Sequence, residues 1–86
     1  MAIVRAMTAD ARTWIDRFAE ALGVAPPSAE EVDALLELAG VAAHASERTA
    51  APISCWIAAG AGVPAAEAAR SARALADALA EGDATA

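Results

Sequence analysis

The chain has 86 residues, a formal net charge of −6, six arginines and no lysine. A chain of this length holds one small domain with a thin stability margin. Scattered arginines on an acidic chain argue against nucleic acid as a partner, because that binding depends on clustered cations. The single cysteine excludes an internal disulfide and favours a reducing compartment. The uncharged residues 50–66 are too short and too interrupted by proline and glycine to span a membrane, so we expect a cytoplasmic protein.

The first predicted helix begins near Thr8 to Asp10 and ends at Leu22, with Gly23 as a left-handed cap. Residues 1–7 are predicted to be an N-terminal extension. The apolar side chains of this helix recur at helical spacing, which is typical of an amphipathic surface helix. They are Trp14, Ile15, Phe18, Ala21 and Leu22.

A proline pair separates the first helix from the second. Ser28 and Glu31 form the sequence pattern of a capping box, which predicts that the second helix starts directly after Ser28. The apolar pattern continues to about residue 48, before Pro52. Gly40 lies inside this pattern and marks either a break or a close backbone contact. The bundle therefore has four helices, or five if Gly40 is a break.

Two further helices follow. Pro52 is predicted as the first residue of the third helix, whose apolar stripe is Ile53, Trp56, Ile57 and Gly60. Pro64 opens the fourth helix, which has a seam of small residues and a possible one-turn pair of Arg73 with Asp77. Gly82 is predicted to end that helix. The sequence thus predicts an all-α fold, a compact bundle of four to five short helices over residues 8–82, with a flexible tail at 83–86.

The central segment His44 to Trp56, HASERTAAPISCW, holds the only histidine and the only cysteine. On a continuous helix, His44, Glu47 and Arg48 would share one face. A metal site is disfavoured because one HxxE spacing does not supply enough ligands. Catalysis by a Cys55 nucleophile with His44 as base is disfavoured too, since "ISCWI" is typical of a buried structural cysteine. We therefore expect no metal, no cofactor and no catalytic residue.

The favoured interpretation of His44, Glu47 and Arg48 is structural: they stabilise a helix end and the turn before Pro52. The alternative is contact with a ligand or partner. Helical spacing likewise makes Trp14, Phe18 and Trp56 candidate core residues, although tryptophan is also frequent among interface anchors.

Residues 43–62, AHASERTAAPISCWIAAGAG, with residues 14–24, WIDRFAEALGV, resemble an uncharacterised family of small helical domains from actinobacteria. The distinctive pattern is AHxxxRxAAP, which Ala43, His44, Arg48 and the segment 50–52 match. Many members have proline where this chain has Thr49 and an acidic residue where it has Val41. Those departures weaken a metal or catalytic role for His44.

In that family the domain occurs alone or appended to nucleotidyltransferase domains similar to molybdenum-cofactor guanylyltransferase. The resemblance implies a non-catalytic accessory domain that binds a nucleotidyltransferase or a molybdoenzyme maturation factor, with a link to molybdopterin guanine dinucleotide biosynthesis. The alternative is a helical module that binds a small anionic ligand through Arg48 and His44. A homodimer is a further expectation, because so small a core gains from a second copy.

Overall fold

The computed structural model describes the backbone of residues 10–85 and the side chains of residues 10–82. Over this range the fold is all-helical, which confirms the predicted class. The described residues form four helices: α1 Ala11–Leu22, α2 Ala29–Ala45, α3 Ala50–Gly60 and α4 Ala65–Thr85. The predicted extension, residues 1–7, lies outside the described residues.

Local capping interactions fix several helix ends where the sequence predicts them. The Asp10 carboxylate accepts a hydrogen bond from the Thr13 amide at 2.7 Å and begins α1. Ser28 and Glu31 form the capping box that begins α2. Gly23 ends α1 and Gly62 follows α3, each with φ of 73°, the left-handed conformation that glycine adopts without a steric cost.

Three other helix ends differ from the prediction. α2 ends at Ala45, three residues earlier than predicted, although it continues through Gly40 without a break, which is the four-helix alternative. α3 begins at Ala50, so Pro52 is its third residue and not its first. α4 continues through Gly82 to Thr85, so the prediction that Gly82 ends this helix is wrong.

Helices α2, α3 and α4 pack into a compact bundle in which α2 contacts both of the others. Its buried core consists of Leu38 from α2 with Ala68 and Ala69 from α4. Partly buried side chains surround this centre: Leu35, Cys55, Ala58, Val63 and Ala72. Because two of the three core residues are alanine, α2 and α4 approach each other over small side chains, and the core buries little apolar area.

Helix α1 stands apart from this bundle. No Cα atom of α1 lies within 8 Å of a Cα atom in another described helix. The linker is held beside α1 by a 2.9 Å hydrogen bond that the Arg12 guanidinium donates to the Pro27 carbonyl oxygen. The extents of the molecule are 55 × 31 × 18 Å.

Candidate functional site

The candidate site begins where α2 ends. Ser46 follows the helix with φ of −135° and ψ of −108°, which turns the chain out of helical geometry. Glu47 and Arg48 therefore lie in the turn, and only His44 belongs to α2. The prediction that the three residues share a helix face is wrong, because α2 ends at Ala45, before Glu47 and Arg48.

Backbone hydrogen bonds hold this turn. The Ser46 amide donates to the Ala42 carbonyl at 3.0 Å, and the Ala50 amide donates to the Glu47 carbonyl at 2.9 Å. The side chains of His44, Glu47 and Arg48 are exposed, and within residues 10–82 none of them makes a hydrogen bond or an ion pair. The end of α2 and the turn after it thus present three polar side chains that form no hydrogen bond or ion pair with the described residues.

His44 also lines an open cavity of 680 Å³ between α2 and α4. The charged side chains around it are Glu37, Arg73 and Asp77. Arg73 forms an ion pair with Glu37 across the two helices, in place of the one-turn contact with Asp77 that the sequence suggests. Sequence reasoning missed Glu37, because no spacing within one helix relates it to a residue 36 positions later. Arg48 does not line this cavity.

Cys55 lies elsewhere. It is half-buried, packs against the core, and lines a separate cavity of 470 Å³ beside Pro26 and Pro27. Since His44 lines a different cavity, the structure does not bring a thiol and an imidazole together at one cleft. Among the described residues there is no group of three or more His, Cys, Asp or Glu side chains placed to hold a metal ion.

The three aromatic side chains are exposed, so the expectation that Trp56 belongs to the core with Cys55 is wrong. Trp56 is 78% exposed on the outer face of α3, together with Ile53 and Ile57. Trp14 and Phe18 are 63% and 52% exposed on α1, with parallel rings 6.0 Å apart. The apolar stripes of α1 and α3 have the helical spacing that the sequence predicts, but they face away from the small core.

Comparison with known proteins identifies a family for this chain. Residues 6–86 match the family described as Domain of unknown function (DUF6457). The chain belongs to this family. No curated protein and no solved structure matches this DUF6457 domain. None of its described helices is long and apolar enough to cross a membrane.

Proposed function

We propose that this DUF6457 domain is a non-catalytic accessory domain that binds a protein partner through the turn 46–49 and the outer face of α3. The observation that carries the proposal is the exposure of His44, Glu47 and Arg48 without a hydrogen bond or an ion pair among the described residues. Long polar side chains that form no hydrogen bond or ion pair with the described residues are available to a partner.

The turn leads directly into the apolar stripe of α3. Ile53, Trp56 and Ile57 are 58%, 78% and 62% exposed, so a patch of large apolar side chains follows a polar turn within one helix. Tryptophan and arginine are the residue types enriched at the energetic centre of protein interfaces. A polar rim beside an apolar, aromatic centre is the usual anatomy of such an interface.

The partner we propose is a nucleotidyltransferase similar to molybdenum-cofactor guanylyltransferase. The support is the family resemblance carried by the AHxxxRxAAP pattern, in which related domains are appended to such enzymes. The accessory role would be to position or stabilise that enzyme, since the described residues do not bring His44 and Cys55 together at one cleft.

Isothermal titration calorimetry with the guanylyltransferase-like protein from the same genome tests this proposal. We expect Trp56→Ala and Arg48→Ala each to weaken binding, Trp56→Ala by about thirtyfold, the effect of removing an interface hot spot. Matched controls remove an exposed side chain of the same type elsewhere: Leu36→Ala for the apolar face and Arg17→Ala for the cation. The controls should bind like the unaltered domain. Absence of binding by the unaltered domain, or equal losses in all four variants, would contradict the proposal.

A second candidate is the binding of a small anionic ligand, which is favoured by the place of His44 beside Arg73 in the cavity between α2 and α4. Two observations weaken it: Arg73 is already paired with Glu37, and Arg48 lies outside the lining. Thermal unfolding with phosphate and nucleotides separates the candidates, because a ligand at a hundredfold excess over Kd stabilises by about 2.7 kcal/mol. If phosphate and nucleotides leave thermal unfolding unchanged, ligand binding is contradicted and protein binding remains the proposed function.

A further inference from the structure

A shallow apolar groove runs between α3 and α4. Its floor is formed by small side chains and by Leu38, while Ile57 and Leu75 stand at its sides, 62% and 60% exposed. The cavity measures 340 Å³ and continues past Ser54 into a smaller one of 140 Å³ that reaches Leu79. The small residues of the floor are Ala58, Ala61, Ala68, Ser71 and Ala72. A floor of small residues between larger walls is the shape that accepts the bulky face of another helix.

Helix α1 presents such a face. Trp14, Phe18 and Leu22 recur every four residues and are 63%, 52% and 61% exposed. The stacked Trp14 and Phe18 rings make the stripe rigid over one helical turn. A 12-residue helix is barely stable in water without packing. Ala19 is the one buried residue of α1, so the stripe of Trp14, Phe18 and Leu22 lacks a covering surface among the described residues.

The linker directs α1 away from its own bundle. Pro26 and Pro27 restrict the chain after Gly23 to extended conformations, and the hydrogen bond from Arg12 to the Pro27 carbonyl fixes α1 against the linker. With this geometry the stripe of α1 does not reach the groove of the same chain.

The area that docked α1 helices would bury distinguishes one such contact from two symmetric contacts between copies. A large apolar side chain presents about 200 Å², so three that are more than half exposed offer about 350 Å². Seated in a groove that loses a similar area, one α1 would bury about 700 Å² in total, which is only the size of a crystal contact. Two such contacts related by a two-fold axis would bury about 1,400 Å², the size of a specific interface.

We infer that two copies of this chain exchange α1: the stripe of Trp14, Phe18 and Leu22 in each copy docks in the α3–α4 groove of the other. The resulting interface is isologous, because each copy gives one helix and receives one. The groove and its continuation share Ile57 and Ser46 with the proposed partner surface, but Arg48 and Trp56 lie outside them, so separate variants test the two proposals.

Sedimentation equilibrium of the full chain over a wide concentration range tests the dimer. We expect Phe18→Ser, which breaks the stripe, and Ser71→Arg, which fills the groove, each to raise the dimer dissociation constant by about thirtyfold or more. Ala74→Arg adds the same side chain to α4 outside the groove and should leave the constant unchanged. Far-UV circular dichroism checks that the bundle folds in every variant, as expected from the exposed positions of Phe18, Ser71 and Ala74.

The placement of α1 is tested by isotope-filtered NMR on a mixture of labelled and unlabelled chains. We expect contacts between the Trp14 indole of one copy and the Leu75 methyl groups of the other. A chain that stays monomeric at every concentration would overturn the inference. So would a dimer that Phe18→Ser and Ser71→Arg leave intact, or Trp14 contacts to Leu75 confined to one chain, which would mean that α1 folds back on its own groove.

Discussion

Gly40 lies in the middle of α2, where glycine is unfavourable because it leaves the unfolded chain more freedom than alanine does. A Cβ atom added at Gly40 would meet no atom within 4 Å, so neither a helix break nor a close contact requires glycine there. We expect Gly40→Ala to raise the free energy of unfolding by about 0.5–1 kcal/mol, measured by urea denaturation.

The matched control is Gly62→Ala. A Cβ at Gly62 also meets no neighbour, but its φ of 73° costs an L-residue about 1–2 kcal/mol. The two substitutions should therefore change stability in opposite directions. A loss of stability in Gly40→Ala would mean that α2 is not regular at this residue.

The ends of the helices divide into those that local chemistry determines and those that it does not. Asp10, the Ser28–Glu31 box and Gly23 cap their helices through hydrogen bonds or backbone conformations of adjacent residues, which is why the sequence predicts them. The end of α2 at Ala45 has no such signal, and Thr49 precedes α3 without a side-chain cap. Prediction from the sequence therefore puts the turn that carries the candidate site at the wrong residues.

Contacts between helices are the second feature that the sequence alone does not predict. The spacing of Trp14 and Phe18, or of Ile53 and Trp56, identifies the apolar side of a helix but not what covers it. In this chain those sides are exposed. The ion pair of Arg73 with Glu37 likewise depends on how α2 and α4 pack, whereas the sequence alone offers only neighbours on the same helix.

The cap of helix α1 depends on a titratable side chain. The hydrogen bonds from Thr13 lower the pKa of the Asp10 carboxyl below its usual 3.8, so the ionised form stabilises the folded helix. This contribution is complete above pH 3.8 and is lost as the pH falls through the lower folded pKa. We expect Asp10→Ala to reduce the helicity of residues 11–22 at neutral pH and to make no difference in strong acid, measured by NMR Cα shifts.

Asp10→Asn is the control for that prediction. Asparagine caps a helix about as well as aspartate but does not titrate, so helicity in this variant should not depend on pH over the same range. A pH dependence that survives in Asp10→Asn would assign the effect to another carboxyl group.

At the scale of the whole molecule, the bundle depends on a core with a single large side chain. Leu38 is 4% exposed, and the other buried side chains among the described residues are alanines. The small core agrees with a domain that relies on a further surface for stability, since chains of this length bury only about 60% of their unfolded surface when they fold alone.

Leu38→Ala should therefore cost about 3 kcal/mol of unfolding free energy, the sum of lost transfer energy and the cavity left behind. Leu36→Ala is the matched control, because Leu36 is 65% exposed on the same helix and its removal should change stability by no more than about 0.5 kcal/mol. Urea denaturation of both variants at equal chain concentration measures the difference, since association makes stability concentration-dependent. Equal losses would mean that Leu36 is covered in solution and that the partner surface extends over α2. A loss confined to Leu38 would locate the large core contact of the described residues where α2 meets α4.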